Sequence, residues 1–366
     1  MAVEYTIFVY DSGGVLQSTC SDAELIAIGR VVNGYDTLDM IIPYDSLAFS
    51  SMQQGARIEI YRQDTALGIP ANKEFNGFIQ KTTFSYTQRA TWRIVAFGWE
   101  YLLSYRIIAY NEDSNTRTQW TATAASTIIN DILVKNLGSG SVAVTYLNRA
   151  VSGLITGVSP TTTGLGNVLT VTDFSYKNVL TAIKEIALQG NVDFEFLWNS
   201  NTNDYTFNVA SPTLATDRTA IVRFSMDNGT IGSLEVTDDY TQYYTQAIVR
   251  GQGTANATIR TFRPDPALTE LASREAFFDL SVAGNDSQFL ASYGDLKLQE
   301  AVKKRKTVMV DIQQTPSNLY GFDYFIGDLV TVDLVTEVIT MQINNVILNY
   351  DNTGNESVKV QLEIDN

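Results

Sequence analysis

Hydrophobic and polar positions alternate along the first hundred residues. In "EYTIFVYD" Tyr5, Ile7 and Val9 share one face, and "SGG" follows as a turn. "TLDMIIP" stops at Pro43, and "GARIEIYR" sets Ala56, Ile58 and Ile60 against Arg57, Glu59 and Tyr61. "EFNGFIQKTTFSY" and "RATWRIVAFGWEYLL" follow the loop "ALGIPANK". Short strands at this turn density predict an antiparallel barrel or sandwich.

The period changes after Tyr105. "TATAASTIINDILVKNLG" spaces Ile128, Ile129, Ile132 and Leu133 as a helix, with Thr121 to cap its start and Gly138 its end. A second helix is predicted in "SYKNVLTAIKEIALQG", capped by Ser175 and stopped by Gly190. "VDFEFLWNSNTNDYTFNVA" predicts a hairpin. Alternation returns near Ile231 and is interrupted by two predicted helices, a short one in "DPALTELASREAFFDL" and a longer one in "DSQFLASYGDLKLQEAVKKRK". Four strands, "TVMVDIQQ", "DLVTVDL", "VITMQINNVILNYDN" and "SVKVQLEI", close the chain. The expected fold is mainly β with α/β. One antiparallel β-barrel domain covers residues 1–105, a mixed α/β domain 106–230, and a second barrel 231–366 with a helical insert at about 263–306.

Composition narrows the chemistry. Of 366 residues 45% are hydrophobic, enough for packed cores. The net charge of −15 argues against tight wrapping on phosphates, because nucleic-acid affinity rests on Lys and Arg displacing counterions. The one dense basic run, Lys303, Lys304, Arg305 and Lys306, suits a helix C-terminus or a basic contact. A single cysteine, Cys20, excludes an intrachain disulfide, and the absence of histidine excludes Cys/His zinc sites and histidine-based triads. The start carries no basic n-region, and no apolar run approaches the roughly 20 residues of a membrane helix, so synthesis in a reducing cytoplasm is expected.

Three chemistries stay open without histidine. Asp193 and Glu195 share a strand face, roughly 6.5–7 Å apart by backbone rise, and Asp238–Asp239 form a local pair, so a carboxylate-based glycosidase acting on the cell envelope is one reading. Asp351 to Glu356, "DNTGNE", gathers oxygens around a glycine but lacks the calcium-loop spacing, and turn chemistry accounts for it and for the "DSGG" at Asp11. The cluster Tyr240, Tyr243 and Tyr244 is a candidate carbohydrate or host-receptor patch. Trp92, Trp99 and Tyr101 are candidate interface aromatics, with core filling as the alternative. Gly327 and Asp328 read as a structural turn feeding a strand: glycine permits the turn and the aspartate bonds back to its own backbone.

Three ordered segments carry a resemblance. They are "FVYDSGGVLQ" with "RVVNGYDTLDMIIPYDS" and "GARIEIYR"; the run containing Gly77, Ile79, Gly98, Leu102, Leu103 and Arg106; and "FIGDLVTVDL" with "ITMQINNVILNYDNTGNESVKVQLEI". Together they resemble the tail hub (baseplate hub) family of long-tailed bacteriophages and related injection particles. The resemblance implies a structural virion component at the tail tip, assembled in the host cytoplasm, without enzymatic activity or cofactor. It implies a homotrimer at the distal end of the tail tube, with two barrels per copy around a channel that DNA transits without specific binding. The implied partners are the tail tube or distal tail protein, the tape measure protein, and a tail-tip fibre or spike. A closed ring requires heterologous head-to-tail interfaces, and an acidic lumen would not hold phosphate within a Debye length of about 8 Å.

Overall fold

The computed structural model describes residues 3–108, 118–137, 159–160, 163–174, 176–211, 213–214, 216–241, 243–251, 258–262, 274–280, 287–313, 315, 318–334 and 337–364. The first region holds β1 (Val3–Tyr10), β2 (Leu16–Cys20), β3 (Leu25–Val31), β4 (Thr37–Pro43), β5 (Arg57–Asp64), β6 (Ile69–Tyr86) and β7 (Ala90–Gly98), with 3-10 turns at Leu47–Ser51 and Trp99–Tyr105. The middle holds β8 (Ile107–Ile108), β9 (Thr118–Ala124), α1 (Ala125–Asn136), β10 (Ser159–Pro160), β11 (Val168–Phe174), β12 (Lys177–Asn178), α2 (Val179–Gly190), β13 (Asp193–Asn199) and β14 (Asp204–Ala210). The last region holds β15 (Arg223–Phe224), β16 (Ile231–Asp238), β17 (Gln246–Arg250), β18 (Thr258–Phe262), β19 (Glu275–Asp279), α3 (Ser287–Arg305), β20 (Lys306–Ile312), β21 (Leu329–Asp333), β22 (Val338–Asp351) and β23 (Glu356–Ile364).

The chain is mainly β, as expected, but the strand pairing closes no barrel among the described residues. The outer regions instead share one 13-stranded sheet, ordered β16-β20-β23-β22-β3-β4-β7-β6-β5-β1-β2, with β21 and β15 branching from β22. The reason lies in β22. Along one side it pairs β23, and along the other it pairs β21 over Val338–Gln342 and then β3 over Asn345–Asp351. A strand of 14 residues reaches past its own region and takes its second partner from the first. The inward faces of both regions merge into one core, in which Ile28, Leu38 and Ile79 lie with Val308, Ile343 and Leu348.

The middle region packs α1 and α2 on the β13–β14 hairpin around Ile128, Ile132, Ile183, Phe194 and Phe207. Its helix starts differ from expectation. Thr121 lies in β9, and α1 begins after Ala124 without a side-chain cap. The cap of α2 is Asn178, whose side chain accepts from Thr181 N–H at 3.3 Å. Ser175 and Gly138 lie outside the described residues. Gly190 is the last residue of α2, and Asn191 beyond it takes the left-handed conformation at φ 50°.

The interruption in the last region is α/β rather than helical. The longer helix forms as α3, but "EAFFD" is the strand β19, paired parallel to β17; residues 265–273 of the shorter predicted helix lie outside the described residues. Glu275, Phe277 and Asp279 are exposed while Ala276 and Phe278 are half-buried, a period of two that a helix cannot present.

Candidate assembly joint

Gly327 has φ +89°, a backbone state that favours glycine. Its N–H donates to Ile343 O at 2.8 Å, and Ile343 N–H donates to Asp328 O at 2.9 Å. Asp328 is buried and does more than close its own turn. One carboxylate oxygen accepts Thr216 N–H at 2.8 Å; the other accepts Phe325 N–H at 2.9 Å and Arg218 Nε at 3.1 Å. The segment entering β15 is thereby tied to the head of β21.

The same joint recurs in the first region. Gly55 has φ +81°, its N–H donates to Ile79 O at 2.9 Å, and Ile79 N–H donates to Ala56 O at 2.8 Å. In both places the long strand then carries a bulge, between Ile79 and Lys81 against β7 and between Ile343 and Asn345 against β23.

Beside the β22–β3 junction lies a buried polar network that the sequence reading missed. Arg62 donates to both oxygens of Glu356, at 2.7 and 2.5 Å, and to Tyr320 O at 3.3 Å. Tyr5 Oη donates to Glu356 at 2.6 Å. Tyr320 Oη donates to Glu74 at 2.8 Å, and Arg30 reaches Glu74 at 3.2 Å and Asp36 at 3.4 Å. The available signal was a charge on an apolar face, since period two puts Arg62 inward with Ile58 and Ile60.

The seam with the middle region holds an acid out of its usual range. Glu100 accepts Phe196 N–H at 2.9 Å; burial and then the like charge of Asp36 push it up to about 8, while Lys184 and Glu195 also face it. A proton bound more tightly by the folded chain stabilises it fully below the usual carboxylate range, and that contribution is lost as pH rises through about 8. Urea midpoints of the wild type should therefore fall between pH 5 and pH 9. Glu100→Gln, which keeps the acceptor for Phe196, should flatten that fall; an unchanged slope would assign it to other groups.

The predicted aromatics divide. Trp99 is buried and donates to Asn76 Oδ1, and its ring packs near Trp198 and Tyr205. Arg57 lies over Trp198, 4.5 Å from the ring centroid, and donates to Asn203 at 2.7 Å and Ser12 O at 2.6 Å, locking the β13–β14 hairpin onto β5. Tyr101 is half-buried against Tyr35 and Phe97. Trp92 stacks on Phe49 at 3.9 Å with the exposed Tyr44 and Phe84 around it. Tyr243 is buried and Tyr240 and Tyr244 are half-buried; Tyr240 packs on Tyr243, and Tyr244 on Phe278.

The carboxylate candidates sit among amides. Asp193 is buried and accepts from Asn33 at 2.8 Å and Gln342 at 3.0 Å, and Glu195 accepts from Asn208 at 2.7 Å. Asp238 ends β16, and Asp239 accepts Thr241 N–H at 2.8 Å. Asp351 accepts Thr353 and Asn355 N–H as a turn, and Asp11 accepts Gly13 and Val15 N–H likewise. Among the described residues no group of three or more acidic or thiol side chains gathers as a metal site. Lys303, Lys304 and Arg305 end α3 and Lys306 opens β20; their side chains lie outside the described residues.

Solved phage tail proteins share the fold of this sheet and its middle region. The 43 kDa tail protein of prophage MuSo2 from Shewanella oneidensis is similar at TM-score 0.61 and 14% identity, covering 98% of each chain. The tail protein from Neisseria meningitidis MC58 is similar at TM-score 0.59 and 11% identity, covering 99% of this chain and 97% of that one. A chain in the Francisella PdpA-VgrG complex (half-lidded) is similar at TM-score 0.55 and 9% identity, covering 100% of this chain and 58% of that one. No curated protein matches the chain. The chain belongs to the siphovirus ReqiPepy6 Gp37-like protein family, whose sequence profile matches residues 6–363. Its fold is that of solved phage tail proteins.

Proposed function

We propose that this protein is the hub at the distal end of a phage tail tube. Three copies form a ring that links the tube to the tail tip and encloses the channel through which DNA leaves. The tube or distal tail protein meets one face and a fibre or spike the other, and the tape measure protein ends in the channel. The observation that carries this reading is the repeated Gly55 and Gly327 joint within one continuous sheet. A chain with two related halves lets three copies present six near-equivalent surfaces, which suits a threefold ring seated on a sixfold tube. The net charge of −15 fits a channel that repels phosphate at close range. Asp193 and Glu195, held among amides, favour a structural role over glycoside cleavage.

Negative-stain electron microscopy of the purified chain tests the proposal. Rings with threefold symmetry and a central hole are expected. A population of compact single copies at every concentration would overturn it.

A further inference from the structure

The repeated joint extends into a strand-by-strand correspondence. In the last region Val236 pairs Val308, Val308 pairs Leu362, and Leu362 pairs Ile343. In the first region Ile28 pairs Leu38, Leu38 pairs Ala96, and Ala96 pairs Ile79. Ile343 and Ile79 are the residues bonded to Gly327 and Gly55, and each precedes its bulge. Below them Met341 pairs Val330 as Gly77 pairs Ile58. Thus β16-β20-β23-β22-β21 repeats β3-β4-β7-β6-β5, rung for rung.

The correspondence exposes an asymmetry. The far half of β22 is covered by β3, with Leu348 opposite Ile28, both buried. Its counterpart is the far half of β6, residues 81–86, which no described strand pairs on the side away from β7. The counterpart of β3 is β16, which no described strand pairs on the side away from β20. Two matching edges therefore stand open at opposite ends of the row β16-β20-β23-β22-β3-β4-β7-β6.

We propose that β16 of one copy adds antiparallel to residues 81–86 of β6 in the next copy, in the register that β3 takes on β22. Carrying Leu348–Ile28 across the repeat puts Phe84 opposite Val236. These two apolar side chains are 47% and 42% exposed, where their counterparts are in the core. The same register sets Tyr86 opposite Leu234 and Lys81 opposite Asp239, an apolar pair and an opposite-charge pair. Trp92 lies beneath Phe84, and its indole N–H is buried without an acceptor among the described residues, as at an unfinished core edge. Two different edges make the contact heterologous, so it propagates around a ring instead of closing a pair of copies. The inference rests on the ring reading above for the number of copies, and on the internal repeat alone for the register.

Cross-linking tests it. The bonds Val32 N–H to Asn344 O and Asn352 N–H to Glu24 O place Gly29 and Ile347 in a non-hydrogen-bonded pair, where facing side chains lie closest. Their counterparts are Thr237 and Thr83. Thr83→Cys/Thr237→Cys should give, on oxidation, reducible bands of two and three chains. Mixing the two single variants should give two-chain bands only, and neither single variant alone should give any. Cys20 does not compete, because burial pushes its thiol up to about 12. Rings that form but do not cross-link would overturn the strand pairing and leave the hub reading standing. A chain that stays single at every concentration would overturn both.

Discussion

Arg62→Met should lower the folding free energy by about 3–5 kcal/mol, the range for breaking a buried ion pair. The guanidinium is 1% exposed and the Glu356 carboxylate 8%, so neither partner can turn to water when the other goes. Methionine fills much of the space but takes from Glu356 both of its bonds to Arg62, and Tyr320 O loses one donor. The loss should appear as a lower denaturant midpoint with an unchanged slope, since the surface exposed on unfolding stays the same. Arg62→Met/Glu356→Leu should recover part of the stability, because no uncompensated charge remains. A single variant within about 0.5 kcal/mol of wild type would show that the pair is not closed from solvent.

Asp328→Ala should cost roughly 3 kcal/mol, because two backbone N–H groups and the Arg218 side chain lose a buried acceptor together, each worth about 1–3 kcal/mol when orphaned. The repeat says where the damage falls. Ala56 occupies the equivalent position in the first joint, so the glycine turn and its two strand bonds do not need a carboxylate. Beyond its local bond from Phe325 N–H, what Asp328 adds is the tether to residues 216–218, next to the bonds Leu329 N–H to Thr216 O and Arg218 N–H to Leu329 O. Hydrogen exchange should rise first at Arg218, Val222 and Leu329, while Gly327 and Ile343 stay protected. Uniform loss of protection would instead make the carboxylate part of the turn itself.

Much of this fold was legible as pattern. The alternation through Ile58, Ile60, Val330 and Val332 marked the strands, and α2 and the β13–β14 hairpin follow from local periodicity. Strand partners were not legible. Nothing in "NNVILNYD" says that its far edge belongs to Leu25–Val31, because pairing depends on edges left free elsewhere. "EAFFD" misled for the opposite reason: Glu275 and Ala276 continue a helix-like run, but the two phenylalanines suit the ladder that β17 offers. At the joint, glycine before a strand could be read as a turn, but the reach of Asp328 to residues over a hundred positions earlier could not.

The pairing of β22 with β3 also sets a timetable for synthesis. Arg30 faces Val346, and Tyr5 reaches Glu356, 351 residues away. The first region leaves the ribosome complete except for the strand that covers β3. At about 5–20 residues per second, that edge waits roughly 15–60 s for its partner. Contacts this distant in sequence form slowly. Through that interval each nascent chain carries an uncovered β3 alongside the open half of β6, in a cell making many identical chains. Two copies pairing at β3 before either is finished would be a dead end, so premature association competes with completion, and slower growth or lower expression temperature should raise the yield of competent protein.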